Sequence, residues 1–126
     1  MKDPFILARS FLYRVIQMAQ KKLQTRKKQF HSLMSRSFHP AEEGKFAPIK
    51  QNIDSLTIVA KAWYASSIPS NFKPKETKEN LEILIKKCSV LNKAIKDNKP
   101  DADLKKLITD AHDTFHTIVG ECKIND

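Results

Sequence analysis

A chain of 126 residues with 40% apolar and 29% charged side chains has the length and balance of one folded domain and is too apolar for disorder. Its two glycines exclude glycine-rich phosphate loops and sandwiches built on glycine turns, and abundant Lys, Leu, Ile and Ala point to an all-α fold. The formal net charge of +9 is concentrated at one end: residues 1 to 38 carry nine basic side chains and one acid, Asp3, while residues 39 to 126 carry fourteen basic and thirteen acidic.

The first twenty residues are apolar but interrupted by Arg9 and Arg14. A secretory signal needs an unbroken apolar stretch of about 7–15 residues and a small-residue cleavage site, so no clear signal peptide is read here. Nor does any stretch approach the ~20 apolar residues that span a bilayer. Three- and four-residue steps between Phe5, Ala8, Leu12, Val15, Ile16, Ala19, Leu23, Phe30, Met34 and Phe38 predict a first helix from Phe5 to Phe38. The pattern weakens in the basic run Lys21, Lys22, Arg26, Lys27, Lys28. Residues 1 to 21 are therefore read as a separate basic helical arm or an extension of helix 1, and residues 22 to 126 as the bundle domain. That run interleaves no aromatic for stacking on bases, and nucleic acid is not expected as a partner. Weak contact with an acidic protein or a membrane surface is the alternative use of a basic face.

Pro40 is expected to end helix 1, since the residue before a proline avoids helical geometry. Pro40 to Lys45 reads as a loop. Helix 2 follows from Phe46 to Ala65, with Pro48 in its first turn and Ile49, Ile53, Leu56, Ala60 and Trp63 as its stripe. A linker from Ser66 to Pro74 leads to helix 3, Lys75 to Asn98, with Leu81, Leu84, Cys88, Leu91 and Ile95 on one face. Asp101 is the expected N-cap of helix 4, which runs to Gly120. Short connections between four helices imply an antiparallel up-down-up-down bundle. Cys88 and Cys122 match neither a disulfide framework nor a zinc-finger spacing, and Cys88 reads as a small core residue.

Two segments carry the candidate chemistry. Ala111-His112-Asp113-Thr114-Phe115-His116 holds two of the four histidines at a spacing that stacks them on one helix face. Phe38-His39-Pro40-Ala41-Glu42-Glu43-Gly44 holds a third, followed by two carboxylates. His112 lies roughly 16 Å into helix 4. The segment containing His39 reaches it only if the shorter helix 2 sets that end of the bundle lower. With this condition His39, Glu43 (or Glu42), His112 and His116 form a metal site of three nitrogens and one oxygen, suited to zinc, copper, nickel or iron with copper or zinc favoured, and Asp113 orients a neighbouring ligand. The plainer reading makes the pair exposed surface, His39 a dipole-facing helix end and the glutamates N-terminal charge on helix 2. His31 reads as surface, and Met18 and Met34 as packing.

Ile108-Thr109-Asp110-Ala111-His112-Asp113-Thr114-Phe115 resembles the last helix of the cytochrome c-prime and soluble b-type cytochrome group of four-helix bundles. There a Cys-x-x-Cys-His haem attachment is followed by an Asp and an aromatic. Here the His, Asp and aromatic are present and both cysteine positions are lost, so covalent haem is not supported. The resemblance covers about residues 22 to 123. It matches His112 to the c-prime haem-ligand position and His116 more nearly to the b-type axial histidine. Met18 and Met34 are the first-helix candidates for b-type ligation, and neither position matches well. FHPAEEG and HDTFH also look like segments of small secreted bacterial proteins of this bundle class that lack the haem motif, which implies a periplasmic or secreted location. The expectation is a non-enzymatic, haem-free metal-binding bundle, monomer or dimer. A b-type haem electron carrier and an interaction module docking through helix 1 are the alternatives.

Overall fold

The computed structural model describes residues 26 to 122 and residue 124. Four helices make up almost all of this: α1 (residues 26–42), α2 (Ala47–Ala65), α3 (Pro74–Lys96) and α4 (Asp101–Gly120). No strand occurs among the described residues, so the all-α four-helix class expected from composition is the class observed. The arm at residues 1 to 21, Met18 and the start expected for helix 1 at Phe5 lie outside the described residues. Among the described residues no helix is long and apolar enough to cross a membrane.

The stripes read from the periodicity are the buried faces. Ile49, Ile53, Leu56, Ala60 and Trp63 are buried on α2, and Leu81, Leu84, Cys88, Leu91 and Ala94 on α3. Leu104, Ile108, Ala111, Phe115 and Ile118 are buried on α4, and these faces join Phe30, Met34, Phe38 and Ala41 of α1 in one core. Full burial of a side chain such as Leu81 or Ile108 stabilises the fold by about 1.5–3 kcal/mol. On α3 the expected Ile95 only flanks the core, and Ala94 takes the inward position.

Cross-helix contacts run in opposite order along each neighbouring pair. Between α1 and α2, Phe30 meets Trp63 and Ser37 meets Asn52. Asp54 meets Asn92 and Tyr64 meets Lys78 between α2 and α3. Between α3 and α4, Asn80 meets Cys122 and Lys87 meets Thr114. Ser37 is a buried polar residue with both needs met: its hydroxyl donates to Leu33 O at 2.8 Å and accepts from Asn52 Nδ2 at 3.1 Å.

Helices α2 and α3 differ by one or two residues at their ends from the bounds read in the sequence, and two other boundaries differ in kind. Helix α1 does not end before Pro40 but continues to residue 42. Lys45 N donates to Pro40 O at 2.8 Å and Gly44 N to Ala41 O at 3.0 Å, with Gly44 at φ 85°. This is the two-bond closure of a helix on a left-handed residue. The preference before proline is a bias rather than a bar. Here it is outweighed by that closure and by the burial of Phe38 and Ala41. At α4 the N-cap is Pro100, and Asp101 is the first helical residue, where its charge faces the helix dipole without capping. The α3 end repeats the closure of α1: Lys99 N donates to Ala94 O at 3.0 Å and Asn98 N to Ile95 O at 3.1 Å, Asn98 having φ 53°.

Candidate metal centre

The groove between α1 and α4 collects all four histidines of the chain. Spacing of four on α4 stacks His112 over His116, and the two Nε2 atoms lie 3.1 Å apart with the rings edge to face. Phe38 of α1 lies flat on the His112 ring, 3.8 Å between centroids and 10° between planes. Further along the same groove His31 stacks on Phe115 at 5.5 Å between centroids. The sequence supplies these contacts because Phe38 and His31, seven residues apart, share one face of α1.

Helix α2 has 19 residues and α3 has 23, a difference of about 6 Å in length. That difference lowers the α1–α2 end only in part; the Phe38–His112 stack places the last turns of α1 beside His112, inside α4. His39 and Glu42 come close enough to act on the His112 charge. The Phe38–Gly44 segment does so as the last turn of a helix rather than as a folded-down loop.

His112 is half-buried, and its pKa is lowered below the ordinary histidine value. Burial is the main cause, and His116 and then His39 add to it, while Asp113 and Glu42 oppose it. The effect favours the neutral ring. Asp113 Oδ1 lies 3.9 Å from its Nδ1, close enough for its charge to act on the ring.

Of the four ligands expected, the structure brings His112 and His116 together directly. His39 stands at the groove with 69% of its side chain exposed and pairs with Glu42 across 3.3 Å. Glu43 lies instead beside Lys45, at 3.9 Å. Between the two glutamates left open by the sequence, the one that faces the histidines is therefore Glu42. Among the described residues no set of three His, Cys, Asp or Glu converges on one point; the two Nε2 atoms of His112 and His116 lie side by side. Cys88 is a core residue whose thiol burial pushes up to about 12. Met34 is likewise enclosed in the core.

No family model, curated protein or solved structure matches the chain.

Two features of the groove carry no functional signal in the sequence. Phe38 reads there only as an apolar helix position, since nothing local to it indicates a partner on α4. His31 reads as surface. It is exposed, but its ring lies parallel to Phe115 within 7°.

Proposed function

We propose that this protein is a non-enzymatic, haem-free metal-binding bundle that holds one divalent transition ion, copper or zinc, on the α1–α4 groove. His112 and His116 anchor the ion, and Glu42 and His39 complete its coordination. The observation that carries this reading is the 3.1 Å separation of the two Nε2 atoms. Two nitrogens at about 2.0–2.1 Å from one ion stand roughly 2.9 Å apart when cis in a square plane and roughly 3.3 Å apart in a tetrahedron. The pair already has that spacing, and binding turns the two rings so that both Nε2 atoms, which face each other in the metal-free pair, direct their lone pairs at one ion. Without metal, the same spacing makes an N–H···N hydrogen bond. His39 and Glu42 are exposed on a helix end, and turning their side chains toward the pair disrupts no core contact.

Titration calorimetry of tag-free protein with Cu(II) and with Zn(II) tests the reading. One ion per chain is expected, with tight binding lost in the His112→Ala, His116→Ala double variant. Unchanged affinity in that variant overturns it. An absorption spectrum of the purified protein separates this reading from a b-type haem carrier, which shows a Soret band. The resemblance to exported bundles implies that loading takes place in the periplasm, and cell fractionation checks it.

A further inference from the structure

Two contiguous clefts run along the outer face of α3 and α4 and share Val90, Leu107 and Asp110. No residue of α1 or α2 lines either of them. Their floor is apolar: Ile83 and Val90, seven residues apart on α3, are 43% and 54% exposed, and Leu107 of α4 is half-buried. Around the floor stand Lys86 and Asp97 of α3 and Lys106 and Asp110 of α4. Lys86, Asp97 and Lys106 are exposed and Asp110 is half-buried. Among the described residues none of the four makes an ion pair. Asp97 is also the C-cap of α3, an end at which the helix dipole disfavours an acid.

These charges are arranged about a common centre. Lys86 and Asp97, three turns apart on one side of α3, are centred between residues 91 and 92. Lys106 and Asp110, one turn apart on α4, are centred on residue 108. The register of the two helices sets both centres at one height. Asn80 meets Cys122, and Lys87 meets Thr114 and the Asp110 carbonyl, which leaves the centres level to within about 4 Å at 1.5 Å per residue. Each helix therefore carries a positive and a negative group equidistant from one line across the face.

We infer that this face pairs with the same face of a second copy of the chain. The two-fold axis is that line, at right angles to the helices, so α3 lies antiparallel on the partner's α3 and α4 on the partner's α4. Lys86 then stands opposite the partner's Asp97, and Lys106 opposite the partner's Asp110, each pair occurring twice. Val90 and Leu107 lie near the centre and are covered. The charges select this arrangement. Laying α3 on the partner's α4 at the same height sets Lys93 against the partner's Lys106 and Asp97 against the partner's Asp103, and like charges opposed across an interface are unfavourable. The overlap from Ile83 to the α3–α4 turn is about 25 Å long and two helices, about 20 Å, wide. That is about 500 Å² per copy, at the lower limit of specific interfaces of about 1,000 Å² in total, so the dimer is weak and reversible. None of these residues belongs to the histidine groove, and the inference stands apart from the metal reading.

Sedimentation equilibrium of the full chain tests this, with a chelator present so that no ion bridges two copies. A monomer–dimer equilibrium is expected between about 5 and 500 µM. Lys86→Glu and Asp97→Lys each set like charges opposite one another at two places, and each is expected to weaken the dimer at least roughly tenfold. An equimolar mixture of the two variants is expected to regain the parent's affinity, because each copy supplies the charge that the other lacks. Far-UV circular dichroism matching the parent assigns the loss in either variant to the interface rather than to unfolding. A parent that stays monomeric throughout, as when residues 1 to 25 cover the face, overturns the proposal. A dimer that neither substitution weakens places the contact elsewhere and overturns it too, as does a mixture that associates no better than its components.

Discussion

Phe38 and His112 come from opposite ends of the described chain and lie face to face, 3.8 Å between ring centres. The contact ties α1 to α4, shields one face of the imidazole and leaves its Nε2 directed at His116. Removing the phenyl ring deprives both helices of packing. Phe38→Ala is expected to cost about 3 kcal/mol in urea unfolding, at the lower end for a buried phenylalanine. It is also expected to raise the His112 pKa toward its ordinary value, read from the imidazole proton shifts in a pH titration. A Phe38→Ala variant with unaltered His112 titration shows that the stack does not shield the ring.

Glu42 and Glu43 separate by charge neutralisation. Glu42 pairs with His39 and acts on His112, whereas Glu43 faces Lys45. Glu42→Gln is expected to weaken copper or zinc binding roughly tenfold, about 1.4 kcal/mol. Glu43→Gln is expected to leave it unchanged. Calorimetric affinities of the two single variants decide, and the reverse order assigns the carboxylate to Glu43.

The lowered His112 pKa sets a direction for stability against pH. Between its folded value and the ordinary value of 6.5 the unfolded chain binds more protons than the folded one, so stability rises with pH in that window. The neutral ring's contribution is complete above about 6.5 and is lost as pH falls toward the folded value. Melting temperatures of metal-free protein from pH 7.5 down to 5 are expected to fall, and less steeply in His112→Gln. Equal slopes in the two proteins assign the pH effect to other groups.

Cys88 is enclosed by the core, with its thiol pushed up to about 12. The reactive thiolate is then scarce at pH 8. In a Cys122→Ser background the remaining thiol is expected to react with a chromogenic disulfide only as fast as the protein opens, and at once in denaturant. Fast labelling of the folded variant contradicts the burial.

The two glycines give a matched pair. A methyl added at Gly44 or at Gly120 meets nothing within 4 Å, so only the backbone distinguishes them. Gly44 has φ 85° and closes α1, and Gly44→Ala is expected to cost about 1 kcal/mol. Gly120 ends α4 as an ordinary helical residue, and Gly120→Ala is expected to stabilise by up to about 1 kcal/mol. Thermal unfolding of both variants gives opposite signs.

The fold class was legible because each helix needs one apolar stripe and the chain writes four of them at the helical period. Ile49 to Trp63, Leu81 to Leu91 and Leu104 to Ile118 are the buried faces, and a stripe is a local property of spacing. The pairing of His112 with His116 was legible for the same reason, since four residues make one turn. Other features depended on partners far along the chain. Whether α1 stopped at Pro40 turned on the closure at Gly44 and the burial of Ala41, which together outweigh a local bias. Glu42 rather than Glu43 facing the histidines follows from that extra helical turn, because Glu42 is its last residue and Glu43 already belongs to the closing turn. Spacing along the chain determined the helices and the histidine pair. Only packing between helices decided what stands opposite them, because that depends on relative helix length and register, which no single stretch of sequence encodes.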